Sequence, residues 1–280
     1  MLVYSLVNQK GGCGKTTTAV NLAGAFAARG KRVLLVDLDP QAHATLGLGL
    51  APDAPALAEV LNDGLAAKYA VQSVAGGIDL LPATTRLAEF EERSEHTIRP
   101  ERVLAEALEP LADEYDYAFI DCPPRADGVL CANALFASNQ ALLIVETGAF
   151  ALQGALQALR VFAEVGENQG WRPPVRVIGT MFDRRTRFAR DLLIAMQSRF
   201  GEMMYDSVIR TSVRLREAPA MGVPVQVLDP TCRACSDFDA LTDEILADVP
   251  TVSPSRSSAP TGYHAPSDAD LVATLLQGED

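Results

Sequence analysis

The sequence predicts a three-layer α/β fold: a mainly parallel central sheet with helices on both faces. Three observations carry that expectation. Strand-like and helix-like stretches alternate along the chain, the order that right-handed crossovers onto a parallel sheet require. Several strand-like runs, such as Val33-Leu34-Leu35-Val36, are apolar at every position, as strands covered on both faces must be. Near the N-terminus an apolar strand passes through a glycine-rich loop directly into a helix, the strand–loop–helix order of a phosphate-binding fold. With 280 residues, 48% of them apolar, the chain can fill one large core, and residues 1–249 read as a single domain.

In chain order, the first strand is expected over residues 2–7 and the first helix over 19–28, with the glycine loop between them. Gly30-Lys31-Arg32 separates that helix from a second strand at 33–36. The stretch 51–77 is rich in Ala, Pro and Leu, with a helical patch at 56–62. A strand at 78–82 follows, then helices at 85–94 and 100–115, the latter opening on Pro100, which suits a first helical turn. Strands over 117–121, 141–145 and 175–181 alternate with helices over 151–165 and 187–200, and a helix over 237–247 closes the domain. From 250 to 266 the composition turns to Pro, Ser, Thr and Ala, which cannot bury a core and reads as a linker. Residues 268–277 can form a short helix with Leu271, Val272, Leu275 and Leu276 on one face. This tail is acidic and lacks Lys and Arg, so it does not have the basic flank of a membrane-surface helix.

The loop reads Lys10-Gly11-Gly12-Cys13-Gly14-Lys15-Thr16-Thr17. Glycine lets backbone N–H groups close around a phosphate, and the following helix presents its positive N-terminus. Lys15 adds a cation, and Thr16 and Thr17 add hydroxyls for a phosphate or a metal. Gly11, Gly12, Cys13, Gly14, Lys15, Thr16 and Thr17 together have the composition of a nucleoside triphosphate cradle, in which Cys13 need only be small. The usual spacing places glycine five residues before Gly14; Gln9 stands there instead, with Lys10 added beside it. Two strands end in carboxylates, at Asp37-Leu38-Asp39-Pro40-Gln41 and at Asp121-Cys122-Pro123-Pro124. Such ends lie at the ligand edge of an open α/β sheet. There Asp121 can anchor magnesium, and Asp37 and Asp39 can hold a metal's water shell or an attacking water. A supporting carboxylate or helix cap describes Asp37 equally well.

No run of about 18 uncharged apolar residues occurs, and no basic leader precedes the first strand, which points to a cytoplasmic protein. The five cysteines are an odd, scattered set that fits a reducing compartment better than a disulfide framework. Cys232-Arg233-Ala234-Cys235 has metal-pair spacing but no second pair or histidine cluster to complete it. The net charge of −12 argues against a uniformly basic nucleic-acid binder. Yet from 172 to 216 ten arginines face only Asp183, Asp191, Glu202 and Asp206, which is the local excess that a DNA-facing patch requires.

Five stretches taken together resemble one family: Asn8 through Thr18, Val36 through Gln41, Phe119 through Pro124, Thr180 through Asp183, and Val213 through Pro219. On them the chain resembles, from residue 1 to about 247, the ParA/Soj partition ATPases of the ParA/MinD group, P-loop ATPases with the deviant Walker A loop. The resemblance implies an enzyme that hydrolyses ATP with Mg²⁺. Lys15 would bind the β- and γ-phosphates, Thr17 a phosphate oxygen, and Thr16 and Asp121, with Asp37 beside them, the Mg²⁺. Asp39 would orient the attacking water, and Lys10 would cross to the other subunit's nucleotide in an ATP-dependent homodimer. Lys10, Lys15 and Asp39 are thus the implied catalytic set.

The same resemblance implies binding of the dimer to double-stranded DNA without sequence preference, with Arg185 and Arg214 facing the DNA and Arg184, Arg187, Arg210 and Arg216 as neighbours. It further implies a cytoplasmic, nucleoid-associated protein with no membrane partner and a ParB-like or other adaptor that stimulates hydrolysis. The cargo would be a plasmid, a chromosome or a protein assembly such as a carboxysome. Two departures stand out. Ile209-Arg210-Thr211-Ser212 replaces the Ile-Pro-Arg-Asn common in relatives, removing a proline near the adenine, and no helix-turn-helix precedes the first strand. Two other functions remain open: an iron–sulfur cluster carrier ATPase using Cys232 and Cys235, and a MinD-like regulator at a membrane surface.

Overall fold

In the computed structural model the apolar runs become eight strands: β1 (Leu2–Val7), β2 (Val33–Asp37), β3 (Gln72–Val74), β4 (Ile78–Leu81), β5 (Tyr117–Asp121), β6 (Gln140–Glu146), β7 (Val175–Phe182) and β8 (Met204–Arg210). The structure describes residues 1–51, 55–125, 128–148, 150–169 and 173–248. The linker expected over 250–266 and the short acidic helix over 268–277 lie outside the described residues. The strands form one sheet in the order β3-β4-β2-β5-β1-β6-β7-β8, parallel throughout except for β3, which runs antiparallel to β4 at one edge.

Between the strands run α1 (Lys15–Ala28), α2 (His43–Gly47), α3 (Leu57–Asp63), α4 (Leu87–Arg93), α5 (Val103–Leu108), α6 (Val129–Ala137), α7 (Ala151–Gln169) and α8 (Arg187–Phe200). After β8 come α9 (Arg214–Glu217), α10 (Val225–Leu228) and α11 (Arg233–Ala247). Alternate strand residues feed two cores, as the period of two demands. Val3, Leu34, Val36, Ile120 and Leu143 pack under α3 to α7, while Tyr4, Leu6, Leu35, Phe119 and Leu142 pack under α1 and α11. Two helical layers around a sheet are the predicted three-layer architecture.

The departures from expectation have local causes. α1 starts at Lys15, earlier than its apolar periodicity indicates, because Gly14 takes a φ of 92°, open to glycine without steric cost, and turns the loop straight into the helix. The helix expected over 100–115 is broken: α5 is flanked by 3₁₀ turns at Pro100–Arg102 and Glu109–Leu111, and Pro110 has no N–H with which to continue it. α6 went unanticipated because Leu130 through Ala137 are all buried, so no polar face marks a helical period. β3 and β8 were also missed. The first has three residues on an edge, and the second mixes polar and apolar side chains.

α11 closes one face of the sheet, and its Phe238 is fully buried. Phe238→Ala is expected to lower the unfolding free energy by about 3–5 kcal/mol in a urea titration. A loss below about 1 kcal/mol would mean that α11 is not packed on the sheet as described.

Candidate functional site

Strand order and register assemble the site. β2, β5 and β1 are neighbours, and their pairing sets Asp37 opposite Asp121 and Asp121 opposite Leu6 at the C-terminal edge of the sheet. The loop that follows β1 therefore rises beside both carboxylates.

That loop is tied down at its ends and open in its middle. Asn8 donates its side-chain amide to the Ile144 carbonyl, and its Oδ1 accepts from the Lys10 N–H at 3.0 Å. The Thr180 hydroxyl, on β7, donates to the Cys13 carbonyl at 2.7 Å. Lys15 is buried within the loop and donates from Nζ to the Lys10 carbonyl at 3.2 Å. Gly11 and Gly12 are exposed, and a Cβ at either would meet nothing within 4 Å. The glycines thus leave an open cradle over Lys15. Cys13 turns its side chain into the core, where burial pushes its thiol up, so only its backbone faces the cradle.

The three carboxylates differ in how they are satisfied. Asp37 is fully buried; its Oδ2 accepts from the Thr45 N–H at 2.8 Å and the Thr45 hydroxyl at 2.7 Å. Burial raises its pKa to about 6, against the lowering effect of the Thr45 bonds. Asp39 is 7% exposed and accepts from the Gln41 N–H at 2.9 Å, which shapes the turn after β2. Asp121 is fully buried with no hydrogen-bond partner for either oxygen among the described residues. Burial first, and the charge of Asp37 second, raise its pKa well above the carboxylate range, while Thr16 and Lys15 pull it down from the loop side. An orphaned buried carboxylate beside a hydroxyl and an open phosphate cradle fits a divalent cation that would complete its coordination with phosphate oxygens and water. Asp37, engaged by Thr45, fits the supporting role.

Lys10 contributes its carbonyl to this cradle, while its side chain is engaged elsewhere. Its ammonium is half-exposed and pairs with Glu146 at the end of β6. Glu146 carried no signal in the sequence, because only the pairing of β1 with β6 brings it beside the loop.

The downstream arginines line a separate cleft of about 790 Å³ between the end of β7, the segment after β8, and the start of α11. Arg184, Arg185, Arg210, Arg214 and Arg216 all reach it, but in different states. Arg185 is exposed and pairs with Asp183 at 2.8 Å, and Arg214 pairs with Glu217 at 2.8 Å and Asp229 at 3.1 Å. Arg184 and Arg216 make no ion pair among the described residues. Arg187 does not line the cleft; it pairs with Asp191 one turn along α8 at 3.5 Å. Arg210 is largely withdrawn, its guanidinium held in a fork by Asp237 of α11. Among the described residues no three His, Cys, Asp or Glu side chains are grouped to hold a metal, and no helix is long and apolar enough to cross a membrane.

Comparison with known proteins gives concordant likenesses. Residues 1–172 match the family model described as AAA domain. The chain is 37% identical over 249 residues to the sporulation initiation inhibitor protein Soj of Bacillus subtilis, covering 88% of this chain and 98% of Soj. It is 36% identical over 251 residues to the chromosome partitioning protein ParA of Caulobacter vibrioides, covering 88% of this chain and 94% of that protein. Among solved structures it resembles cobyrinic acid a,c-diamide synthase from Mycobacterium smegmatis with bound ATP analogue and magnesium. That likeness has a TM-score of 0.72 and 30% identity, over 88% of this chain and 94% of that one.

Removing the buried charge at Asp121 tests this geometry in the ligand-free protein. The folded pKa of Asp121 lies above its unfolded value, so its contribution to stability is intact below the unfolded pKa and is lost as pH rises from there through the folded pKa, above the carboxylate range. Asp121→Asn is therefore expected to stabilise the protein in EDTA at pH 7.5 by at least ~1 kcal/mol, with the gain shrinking as pH falls towards 4. Unfolding curves across pH decide it, and a variant less stable than wild type at pH 7.5 would contradict the orphaned-carboxylate reading.

Proposed function

Because the chain belongs to the ParA/Soj family of P-loop ATPases, we propose that it is a nucleotide-gated dimer that binds DNA without sequence preference and positions an intracellular cargo through an adaptor. It is an ATPase, and it uses ATP with Mg²⁺. The observation that carries the dimer reading is the division of labour between two lysines. Lys15 is buried within its own cradle, while the Lys10 ammonium is half-exposed and retained by a single carboxylate. A cation placed there serves a nucleotide on a second copy of the chain.

In this reading the backbone of Gly11, Gly12, Cys13 and Gly14 wraps the phosphates, Lys15 binds the β- and γ-phosphates, and Thr17 binds one phosphate oxygen. Thr16 and Asp121 hold the Mg²⁺, with Asp37 keeping the turn around Thr45 in place. When bound, Mg²⁺ offsets negative charge on the phosphates. Asp39 orients the attacking water from the turn after β2. Lys10 leaves Glu146 and neutralises charge developing on the partner's transferring phosphoryl group, so hydrolysis waits on assembly. ATP then joins two chains and hydrolysis parts them. The ATPase unit is residues 1–249, followed by a linker and an acidic tail.

DNA contact falls to Arg185 and Arg214, with Arg184 and Arg216 beside them and Arg187 outside the cleft. Exposed pairs such as Arg185 with Asp183 are weak against competition from water and salt, so a phosphate can displace the carboxylate. Arg210, locked to Asp237, positions β8 against α11 and contributes positive potential. Such contacts place the protein on the nucleoid in the cytoplasm, and a centromere binder of the ParB type, or another adaptor, supplies the cargo.

Lys10→Ala is expected to lower ATP turnover by about 10²-fold or more, while ATP binding, measured by calorimetry, persists. Mixing Lys10→Ala chains with Asp39→Ala chains restores turnover, since one site of each heterodimer then holds both groups; no recovery would place Lys10 in its own site. For the DNA surface, Arg185→Ala and Arg214→Ala are each expected to weaken ATP-dependent binding to arbitrary duplexes and to flatten the log K against log salt slope by roughly 0.9. Unchanged binding in both variants, with dimerisation intact, would remove the patch from contention.

A further inference from the structure

The arginine cleft carries sulfur on one wall. Cys232 is the N-cap residue of α11 and lines the cleft, half-buried. Cys235 sits one turn along, 4% exposed and behind it. The two Sγ atoms are 3.6 Å apart, and the Cys235 thiol donates to the Asp229 carbonyl at 3.2 Å. From that 3.6 Å separation a shift of about 1.5 Å at sulfur reaches disulfide bonding distance. No third ligand joins the pair among the described residues, so its available chemistry is that of a dithiol.

The surroundings select the reagent. Each carboxylate on the cleft wall is already matched by an arginine: Asp183 by Arg185, Asp229 by Arg214 and Asp237 by Arg210. Arg184, Arg216 and Arg233 line the cleft without an ion pair among the described residues, so the cleft that Cys232 lines holds surplus positive charge. Confined charge of one sign concentrates small ions of the other. We propose that Cys232 and Cys235 are a redox-active dithiol that exchanges with anionic low-molecular-weight disulfides entering this cleft, Cys232 attacking and Cys235 resolving.

The exchange has two steps. Cys232 loses its thiol proton and attacks one sulfur of the reagent; the reagent's S–S bond breaks, a mixed disulfide forms on Cys232, and the first thiolate leaves and takes up a proton. Cys235 then gives up its proton and attacks the Cys232 sulfur, forming the intramolecular bond and expelling the second thiolate, which is protonated in turn. Two protein thiols are oxidised and one disulfide is reduced to two thiols. Burial pushes the Cys235 thiol up to about 12, which keeps it from competing for the external reagent and leaves the first step to Cys232.

The full-length protein, reduced and freed of reductant under nitrogen, is incubated with glutathione disulfide at low ionic strength, quenched with an alkylating agent and mapped by mass spectrometry. Two thiols are expected to escape alkylation, linked in a Cys232–Cys235 peptide, and Cys235→Ser is expected to carry one glutathione on Cys232. Normalised to each reagent's rate with a small free thiol, oxidation by glutathione disulfide is expected to exceed that by cationic cystamine about tenfold, and the two rates converge in high salt. The wild-type mapping does not depend on how well the variant folds. Retention of all five alkylatable cysteines overturns the proposal, as does a bridge elsewhere, an unmodified Cys232 in folded Cys235→Ser, or equal normalised rates at low salt.

Discussion

Two carboxylates buried side by side at the end of parallel strands set the terms for the rest of this molecule. Parallel register places Asp37 against Asp121, and taking ionised groups out of water costs several kcal/mol each unless partners replace the lost hydration. The protein meets that cost for Asp37 by folding the segment after β2 back so that Thr45 donates twice to one oxygen. For Asp121 it does not: among the described residues neither oxygen has a partner at hydrogen-bond geometry, and Thr16 and Lys15 offset the burial only from the loop side. A carboxylate buried this way costs stability unless a ligand supplies the missing partners, and a ligand that does so links its occupancy to fold stability.

The same edge explains how two distant-looking features share one strand. Thr180 near the end of β7 holds the Cys13 carbonyl of the glycine loop, and a Cβ on Gly14 would lie 3.7 Å from the Met181 side chain. The next residues, Phe182 to Arg185, form the wall of the arginine cleft. Met181 takes a φ of 56°, an uncommon conformation for a residue other than glycine, at the point where the chain passes from loop support to cleft wall. The nucleotide loop and the basic cleft are therefore consecutive contacts of one strand end.

Much of the site was legible because its chemistry is local. Glycines next to Lys15 and Thr16, and carboxylates at the ends of apolar runs, mark a candidate site through residue type and position alone, and the alternating strands and helices declare the sheet that aligns them. Glu146 could not be read this way, since nothing in Val145-Glu146-Thr147 marks it until β6 pairs with β1 and brings it to Lys10. The arginines show the same limit. Arg185, Arg210 and Arg214 are alike in the sequence, and only the positions of Asp183, Asp237, Glu217 and Asp229 distinguish an exposed pair from a locked fork.

By itself the sequence determined the three-layer fold, the glycine-rich phosphate loop, the strand-end carboxylates and a cation-rich stretch downstream, because backbone freedom, hydrophobic period and strand-end chemistry act over a few neighbouring residues. The tertiary structure decided which charges are satisfied: Asp37 but not Asp121, Lys10 through Glu146, Arg210 through Asp237. It also decided that Cys232 opens on the arginine cleft while Cys235 lies behind it. Those outcomes depend on distances of a few ångströms between residues up to 136 positions apart, as between Lys10 and Glu146, and only the packed sheet sets such distances.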